Sequence, residues 1–200
     1  MGKFIHIAEH LPVNKVMDEL NANPQLWGQN QVRTGYSNSP FQYAPDIWVR
    51  WRKKEQLTSA YKYHEPHWAS FYPAWDLLPS LHEITFDLMR IVDAVYLGAI
   101  LITRIPAGQN VAEHNDMGAW HAEYTDCKAF VTLSGSGCEF WSEDNMKVFN
   151  VGSAWSFNNL RNHKVVNTSN EDRITAIICM RSKNGNFCEE EDGIYKAREE

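Results

Sequence analysis

The second half of the chain is a succession of short apolar runs separated by polar turns. From Tyr96 onward these runs recur at intervals of about 8 to 12 residues, the spacing typical of a β-sandwich or barrel. The predicted strands are LGAILITRI, NVAEHN, CKAFVTLSG, CEFWS, MKVFNV, SAWSFN, HKVVNTS and RITAIICMR. A jelly roll has about eight strands, in two packed sheets that enclose a narrow mouth lined by side chains. The pattern therefore predicts a mostly β protein with a jelly-roll core.

The first half of the chain has helical as well as strand patterns. VNKVMDELNANP carries apolar residues at helical spacing and ends at an Asn-Pro pair. In PSLHEITFDLMRIVDAV an apolar stripe runs from Leu81 to Val95, and Ser80 with Glu83 matches a capping box. Between these helices, DIWVRW is typical of a strand. We expect the helices to pack against a sheet of the jelly roll.

No internal repeat or long linker divides the 200 residues, which predicts a single domain. Residues 1–95 would form a helical and aromatic support region, residues 96–181 the jelly-roll core, and residues 182–200 a partly ordered acidic tail. The contents of hydrophobic residues, 44%, and of charged residues, 22%, are ordinary for a soluble globular protein. The net charge of -6 provides no concentrated basic face for nucleic acid.

The composition also indicates where the protein resides. The segment MGKFIHIAEH lacks the apolar region of a secretion signal, and no apolar run approaches the roughly 18 residues of a membrane span. The four cysteines have no CxxC spacing, and three lie in apolar runs where a reduced thiol behaves as a small hydrophobe. We therefore expect a cytoplasmic protein that binds neither membrane nor nucleic acid.

Candidate chemistry begins with the tripeptide HND at the end of a predicted strand. Residues two apart on a strand point to the same face, so the side chains of His114 and Asp116 would share one space. One such pair among 8 histidines is a frequent coincidence. His163, at the start of a later strand, adds a third potential ligand. Two histidines and one carboxylate can occupy one face of the octahedron around Fe(II), with Mn or Co as substitutes, and leave positions for a cosubstrate and dioxygen.

A second candidate group lies at the start of the last predicted strand, beside His163. Arg173 opens this strand, and Thr175 lies on the same face. A guanidinium is a rigid fork for a carboxylate, so the pair could hold the distal end of a dicarboxylate such as 2-oxoglutarate. The alternative for Arg173 taken alone is a surface salt bridge with Glu171 or Asp172.

Other residues that could take part in catalysis or metal binding have simpler interpretations. His6–His10, HIAEH, has the residue order of an inverted zincin, but the segment has a strand pattern and Pro12 follows it closely. The histidines of His64–His67 and His121 are interpreted as loop residues. Lys128 could reach a cosubstrate, although strand alternation favours a lysine that faces solvent.

The arrangement of these residues resembles the Fe(II)- and 2-oxoglutarate-dependent oxygenases. Their pattern is HxD, a histidine about fifty residues later, and then Arg-x-Thr. The segments LITRIPAGQNVAEHND and GSAWSFNNLRNHKVVNTSNEDRITAIICM are similar to the branch that includes aspartyl/asparaginyl β-hydroxylase and prolyl-hydroxylase-like proteins. The resemblance covers residues 96–181, and WVRW and FYPAWDLLP more loosely. It implies a cupin-like double-stranded β-helix in which His114, Asp116 and His163 bind the catalytic metal and Arg173 grips the C5 carboxylate of 2-oxoglutarate.

The resemblance also implies an activity. The protein would be a dioxygenase that converts 2-oxoglutarate to succinate and carbon dioxide while it hydroxylates an Asp-, Asn- or Pro-like side chain. Its partners would be 2-oxoglutarate, dioxygen and a peptide or small-molecule acceptor. Aspartyl/asparaginyl β-hydroxylase lacks the carboxylate ligand, whereas this chain has Asp116, so the kinship does not transfer that enzyme's substrate. The alternatives are a non-catalytic metal-binding module of cupin type and a metal-dependent isomerase on the same fold.

Overall fold

A computed structural model of the chain describes residues 4–53, 68–116, 125–185 and 187. The predicted loop histidines His64, His67 and His121 lie outside these ranges, as does most of the predicted acidic tail.

The described residues form two antiparallel β-sheets. The strands are β1 (Phe4–Ala8), β2 (Asp46–Trp51), β3 (Ser70–Phe71), β4 (Ala94–Ile105), β5 (Asn110–His114), β6 (Cys127–Ser134), β7 (Glu139–Ser142), β8 (Asn145–Val148), β9 (Ala154–Phe157), β10 (His163–Val166) and β11 (Arg173–Ser182). The seven-stranded sheet has the order β1-β9-β6-β11-β4-β2-β3, and the four-stranded sheet has the order β5-β10-β7-β8. From β4 onward the chain passes repeatedly from one sheet to the other, which is the connectivity of a jelly roll.

The predicted fold class is confirmed. The eight runs predicted from Tyr96 onward correspond to β4 through β11, and DIWVRW is β2. The first half of the chain contributes more than support, because β1, β2 and β3 extend the seven-stranded sheet at its two edges. The short strand β3 was not predicted, since two residues are too few to show an alternating pattern.

Three α-helices come from the first half of the chain: α1 (Val13–Ala22), α2 (Ala74–Leu77) and α3 (Pro79–Ile91). The apolar faces of α1 and α3 share one core with the outer face of the seven-stranded sheet, as expected. Its fully buried members include Val16, Leu81, Ile84, Leu88, Ile100, Ile102, Val131, Ala176 and Ile178. None of the helices in the described ranges is long and apolar enough to cross a membrane.

The start and end of α3 differ from the prediction. The helix begins at Pro79, and no capping box forms at its N-terminus. The amide and hydroxyl of Ser80 instead donate to the carboxylate of Glu19 in α1, at 3.1 and 2.6 Å to Oε1. A contact between two helices therefore replaces the local cap. The helix ends at Ile91, so Val95 belongs to β4 and is 64% exposed rather than part of the helical stripe.

The central strand β11 contributes to the core on one side of its sheet and to a cavity on the other, because alternate residues of a strand face opposite sides of the sheet. Ile174, Ala176 and Ile178 pack beneath the helices. The intervening positions face the second sheet and line a cavity. They are Arg173, Thr175, Ile177 and Cys179.

Candidate metal centre

The two candidate histidines lie side by side at neighbouring strand ends. In the antiparallel pair β5 and β10, His114 is directly opposite His163, and their ring centroids are 4.2 Å apart. Asp116 follows the end of β5. Its Oδ1 is 3.9 Å from His114 Nε2, and its Oδ2 is 3.9 Å from His163 Nε2. The structure therefore brings together the three residues that the sequence suggested as metal ligands.

Backbone carbonyls orient both imidazoles. His114 Nδ1 is 2.7 Å from the carbonyl oxygen of Ala112, and His163 Nδ1 is 2.9 Å from that of Arg161. Because a carbonyl can only accept, each Nδ1 carries the proton and each Nε2 presents a lone pair to the centre of the group. Burial lowers the pKa of both histidines, that of His163 to about 4. Both rings are therefore neutral near pH 7, as metal binding requires.

The carboxylate of Asp116 is held by two side chains. Its Oδ2 forms an ion pair with Lys128 Nζ and accepts a hydrogen bond of 3.2 Å from Asn159 Nδ2. The backbone amide of Asp116 also donates to the carbonyl of Asn159, at 2.9 Å. Contacts of this kind fix the direction of a ligating carboxylate. The role of Asn159 was not predicted, because the residue reaches Asp116 only after the loop before β10 folds back on β5.

Lys128 does not face solvent, so that prediction was wrong. The residue is 8% exposed and projects from β6 into the cavity between the sheets. All residues of β6 from Cys127 to Leu133 are buried, because helices cover one face and the second sheet covers the other. A strand buried on both faces has no polar side from which the direction of a lysine could be inferred.

The three residues fit a divalent metal ion. Ligand atoms bound at about 2 Å to one ion lie about 3 to 3.5 Å apart, and the separations of 3.9 Å approach that range. The possible ligand atoms of the three residues all lie within 4.8 Å of one another. Two imidazoles and a carboxylate, without a thiolate, form the ligand set of non-haem Fe(II) sites. His114, Asp116 and His163 could therefore hold Fe(II).

His114, Asp116 and His163 lie in a cavity of about 380 Å³ between the two sheets. Aromatic rings surround the imidazoles: Phe41 contacts His114 edge-on at 4.8 Å, and Phe157 contacts His163 at 5.0 Å. Phe140 lies further along the same wall, 6.5 Å from His163 and nearly parallel to it. Apolar walls of this kind keep water from a site and strengthen the electrostatic interactions within it.

Arg173 lines the same cavity and is 4% exposed. Its Nη2 is buried and has no hydrogen-bond partner among the described residues. Burial lowers the pKa of Arg173 to about 10, so the guanidinium is charged at neutral pH. The alternative of a surface salt bridge does not occur, because Arg173 is buried and the carboxylate of Asp172 lies 3.9 Å from Arg104 instead.

Two hydroxyls accompany the guanidinium. Thr175 is on the same face of β11, as predicted, and is directly opposite Thr103 of β4. Both residues line the cavity, and in the described part of the chain neither Oγ1 has a hydrogen-bond partner, although both are buried. Buried polar groups are normally satisfied, so this cluster has the character of a binding site for a polar ligand. Thr103 was not predicted, since its place depends on the register between β4 and β11.

The HIAEH segment does not form a zinc site of the inverted-zincin type. His6 lies on β1 and contacts Glu9 at 3.1 Å, and the segment is a strand followed by a bend. An inverted zincin needs both histidines on one helical turn. The strand that the sequence predicts for FIHIA is confirmed.

Solved structures share the fold over nearly the whole chain. A prolyl hydroxylase from Trichoplax adhaerens, in complex with a peptide fragment of the oxygen degradation domain of hypoxia inducible factor, is 9% identical, with a TM-score of 0.57 over 94% of this chain and 88% of that chain. A viral collagen prolyl hydroxylase from Paramecium bursaria Chlorella virus-1, in complex with 2-oxoglutarate, is 11% identical, with a TM-score of 0.54 over 90% of this chain and 96% of that chain.

Another solved structure is similar over less than half of the chain. A cupin 2 conserved barrel domain protein from Salinispora arenicola matches 40% of this chain and 60% of that chain, at 16% identity and a TM-score of 0.32. No protein-family model and no curated protein sequence matches this chain. At such low identities the two prolyl hydroxylases establish a common fold, and the function of this chain has to be argued from its site.

Proposed function

We propose that this protein is a non-haem Fe(II)- and 2-oxoglutarate-dependent dioxygenase that hydroxylates an amino-acid side chain. One observation carries the proposal: a His-Asp-His group and a buried guanidinium nitrogen without a partner among the described residues line the same cavity. The first fits a metal that activates dioxygen, and the second fits the distal carboxylate of a cosubstrate.

His114, Asp116 and His163 would hold the iron. Bound Fe(II) supplies, with dioxygen, the oxidising power that converts 2-oxoglutarate to succinate and carbon dioxide and hydroxylates the acceptor. The chain itself orients the ligands. Backbone carbonyls keep the protons of both imidazoles on Nδ1, and the contacts of Lys128 and Asn159 hold the carboxylate of Asp116 in place.

Arg173 would hold the C5 carboxylate of 2-oxoglutarate through two parallel N–H bonds, assisted by the hydroxyls of Thr175 and Thr103. A buried charge without a counter-charge is costly, and an unsatisfied buried hydroxyl adds to that cost. A carboxylate would satisfy all three groups at once. The aromatic residues Phe41 and Phe140 would then close the walls of the cavity and exclude water from the reacting groups.

The alternatives account less well for Arg173. Neither a non-catalytic metal-binding module nor a metal-dependent isomerase requires a buried guanidinium in the same cavity as the metal ligands. The viral prolyl hydroxylase of the same fold was solved with 2-oxoglutarate, which supports this choice of cosubstrate. The Trichoplax enzyme was solved with a peptide, which supports a peptide among the candidate acceptors. Kinship with the aspartyl/asparaginyl branch stays a prediction.

Turnover of isotopically labelled 2-oxoglutarate tests the proposal. Protein reconstituted anaerobically with Fe(II) should release ¹³C-succinate when air and a suitable acceptor are admitted, and a panel of peptides and amino acids would identify the acceptor by its stimulation of that release. The His163→Ala variant should release none, whereas the His6→Ala variant should match the wild type, because His6 does not line the cavity. A protein that binds both Fe(II) and 2-oxoglutarate but yields no succinate with or without acceptors would be a binding module.

A further inference from the structure

The two candidate histidines are held differently by their strands. His163 begins β10, which lies between β5 and β7, and Phe157 packs against its ring. His114 ends β5, the edge strand of the four-stranded sheet, so among the described strands it has a neighbour on one side only. The free side of an edge strand is normally covered, and a metal ligand needs further contacts that orient its ring.

The irregular segment between residues 27 and 45 provides both the cover and the contact. The backbone amide of Ala112 in β5 donates to the carbonyl oxygen of Pro40, at 3.1 Å. The carbonyl of Ala112 accepts the hydrogen bond of 2.7 Å from His114 Nδ1. The next residue of the segment, Phe41, places its ring centroid 4.8 Å from that of His114, at an interplanar angle of 76°. The segment therefore contacts His114 directly through a ring and indirectly through the backbone of β5.

A buried ion pair holds Phe41 in turn. The guanidinium carbon of Arg33 lies 3.9 Å from the centroid of the Phe41 ring. Arg33 Nη1 donates to Oδ2 of Asp46, the first residue of β2, at 3.0 Å, and both residues are buried. Asp46 thus balances the charge of Arg33 and attaches the segment to the seven-stranded sheet. A continuous series of contacts leads from Asp46 through Arg33 and Phe41 to His114.

We propose that Phe41 is a positioning residue for the metal centre: its ring holds the imidazole of His114 with Nε2 towards the metal, and the ion pair of Arg33 and Asp46 holds Phe41. This inference rests on the proposed function, because it takes His114 to be a metal ligand. Near-perpendicular ring pairs at this distance are a favoured geometry. A side chain that is already ordered loses less entropy when the metal binds, which corresponds to a difference of about two- to tenfold in affinity.

Two other roles for these residues lead to different expectations. If the Phe41 ring only fills space, another apolar side chain should replace it without loss of metal affinity. If the ion pair acts only through its charges, Arg33→Met should raise the affinity for a divalent cation and Asp46→Asn should lower it. If the pair acts by holding Phe41, the double variant Arg33→Met/Asp46→Asn should lower the affinity although its net charge is unchanged.

The affinity of the full-length protein for Zn(II) distinguishes these roles without turnover. Dissociation constants are measured by competition with a chromophoric chelator. Phe41→Ala and Phe41→Leu should each bind Zn(II) about three- to tenfold more weakly than the wild type, whereas Phe41→Tyr keeps the ring and should remain within about twofold of it. Leu88→Ala is the control for lost stability, because Leu88 is fully buried in the core beneath the helices and does not line the cavity. It should bind Zn(II) as the wild type does.

The double variant tests the series of contacts. Arg33→Met/Asp46→Asn should weaken Zn(II) binding by about two- to fivefold, and it should have no further effect in the Phe41→Ala background, because groups that act through one another are not additive. An equal effect of the double variant with and without Phe41 would show that the ion pair does not act through the ring, and would overturn that part of the inference.

A spectroscopic comparison assigns the effect to one histidine. Co(II) strongly shifts the Nδ1–H proton resonance of each histidine that binds it through Nε2, so the cobalt-loaded wild type should show two such resonances. In Phe41→Leu, which tests the ring even if Phe41→Ala does not fold, the resonance of His114 should exchange faster with water and that of His163 should not change. Wild-type Zn(II) affinity in Phe41→Leu, an equal loss in Leu88→Ala, or equal changes in both resonances would overturn the inference. Absence of Zn(II) binding to the wild type would instead overturn the proposed function, and the inference with it.

Discussion

The ammonium of Lys128 and the carboxylate of Asp116 form an ion pair that joins the seven-stranded sheet to the metal-binding end of the four-stranded sheet. Both side chains are largely buried. Asp116 is thus at once a candidate metal ligand and the counter-charge of a lysine in the cavity wall. Its substitution should affect stability as well as chemistry.

Replacement of Asp116 by Ala should keep the fold but eliminate most turnover. It leaves the ammonium of Lys128 in the cavity without its counter-charge, and should lower the free energy of unfolding by about 1 to 3 kcal/mol. Most of that loss should be recovered in Asp116→Ala/Lys128→Met. Denaturant unfolding of the metal-free proteins measures the coupling between Asp116 and Lys128, with Lys164→Met on the neighbouring sheet as control. Equal free energies of unfolding of Asp116→Ala and Asp116→Ala/Lys128→Met would contradict the expected recovery.

The His163→Ala variant should lose tight iron binding, because it removes one of three ligands. The wild type should bind one Fe(II) per chain, and iron at a hundredfold excess over its Kd should stabilise the folded state by about 2.7 kcal/mol. Calorimetry and thermal unfolding with and without Fe(II) measure both effects, and His6→Ala should behave as the wild type. Full iron affinity in His163→Ala would remove this residue from the site.

Substitution of Arg173 by Met should raise the half-saturating concentration of 2-oxoglutarate by well over tenfold and leave iron binding nearly unchanged. Truncation of a buried bidentate contact costs about 2 to 5 kcal/mol, whereas an exposed pair contributes under about 1 kcal/mol. Arg173→Lys should restore binding only partly, because an ammonium cannot reproduce the planar fork. Succinate release in 2-oxoglutarate titrations tests this, with Arg104→Met as the control of a partly exposed arginine nearby. An unchanged half-saturation point would mean that the cosubstrate is gripped elsewhere, and Lys128 would be the next residue to test.

Substitution of either of the paired threonines, Thr175 or Thr103, should also weaken 2-oxoglutarate binding, but less than substitution of Arg173 does. Thr175→Val and Thr103→Val each remove one hydroxyl that we assign to the C5 carboxylate, and each should weaken 2-oxoglutarate binding by about 1 kcal/mol, or roughly fivefold. Thr132→Val is the matched control, because Thr132 is also buried opposite Thr175 but does not line the cavity. An effect confined to Thr175 would exclude Thr103 from the cosubstrate site.

Arg173→Met should also stabilise the protein in the absence of 2-oxoglutarate. The guanidinium is charged and buried, and an unbranched, uncharged methionine would remove the cost of its desolvation, with a gain of about 1 to 4 kcal/mol in the free energy of unfolding. Saturating 2-oxoglutarate should narrow this difference, because only the wild type gains from binding it. A loss of stability in the metal-free and cosubstrate-free variant would show that Arg173 has a structural partner.

Much of the architecture could be predicted from the sequence, because alternating and helical patterns report which faces are buried. The strands from β4 to β11 and the helices α1 and α3 were found in this way. The direction of Lys128 and the opposition of Thr103 and Thr175 were not, since the first lies on a strand buried on both faces and the second depends on sheet register. Arg33 lies on an irregular segment, where no periodicity indicates which side chains face inward.

Alternate residues of β11 serve different purposes: those on one face hold the helices, and those on the other face line the cavity. Substitutions among aliphatic residues at Ile174, Ala176 and Ile178 alter how firmly the helices attach, and they reach the reacting groups only through the packing of the sheet. Substitutions at Arg173 and Thr175 do the reverse, since they change what the cavity accepts. Related proteins can therefore diverge in ligand preference and in thermal tolerance along the same ten-residue strand. Insertion or deletion of one residue would exchange the two sets and destroy both properties at once.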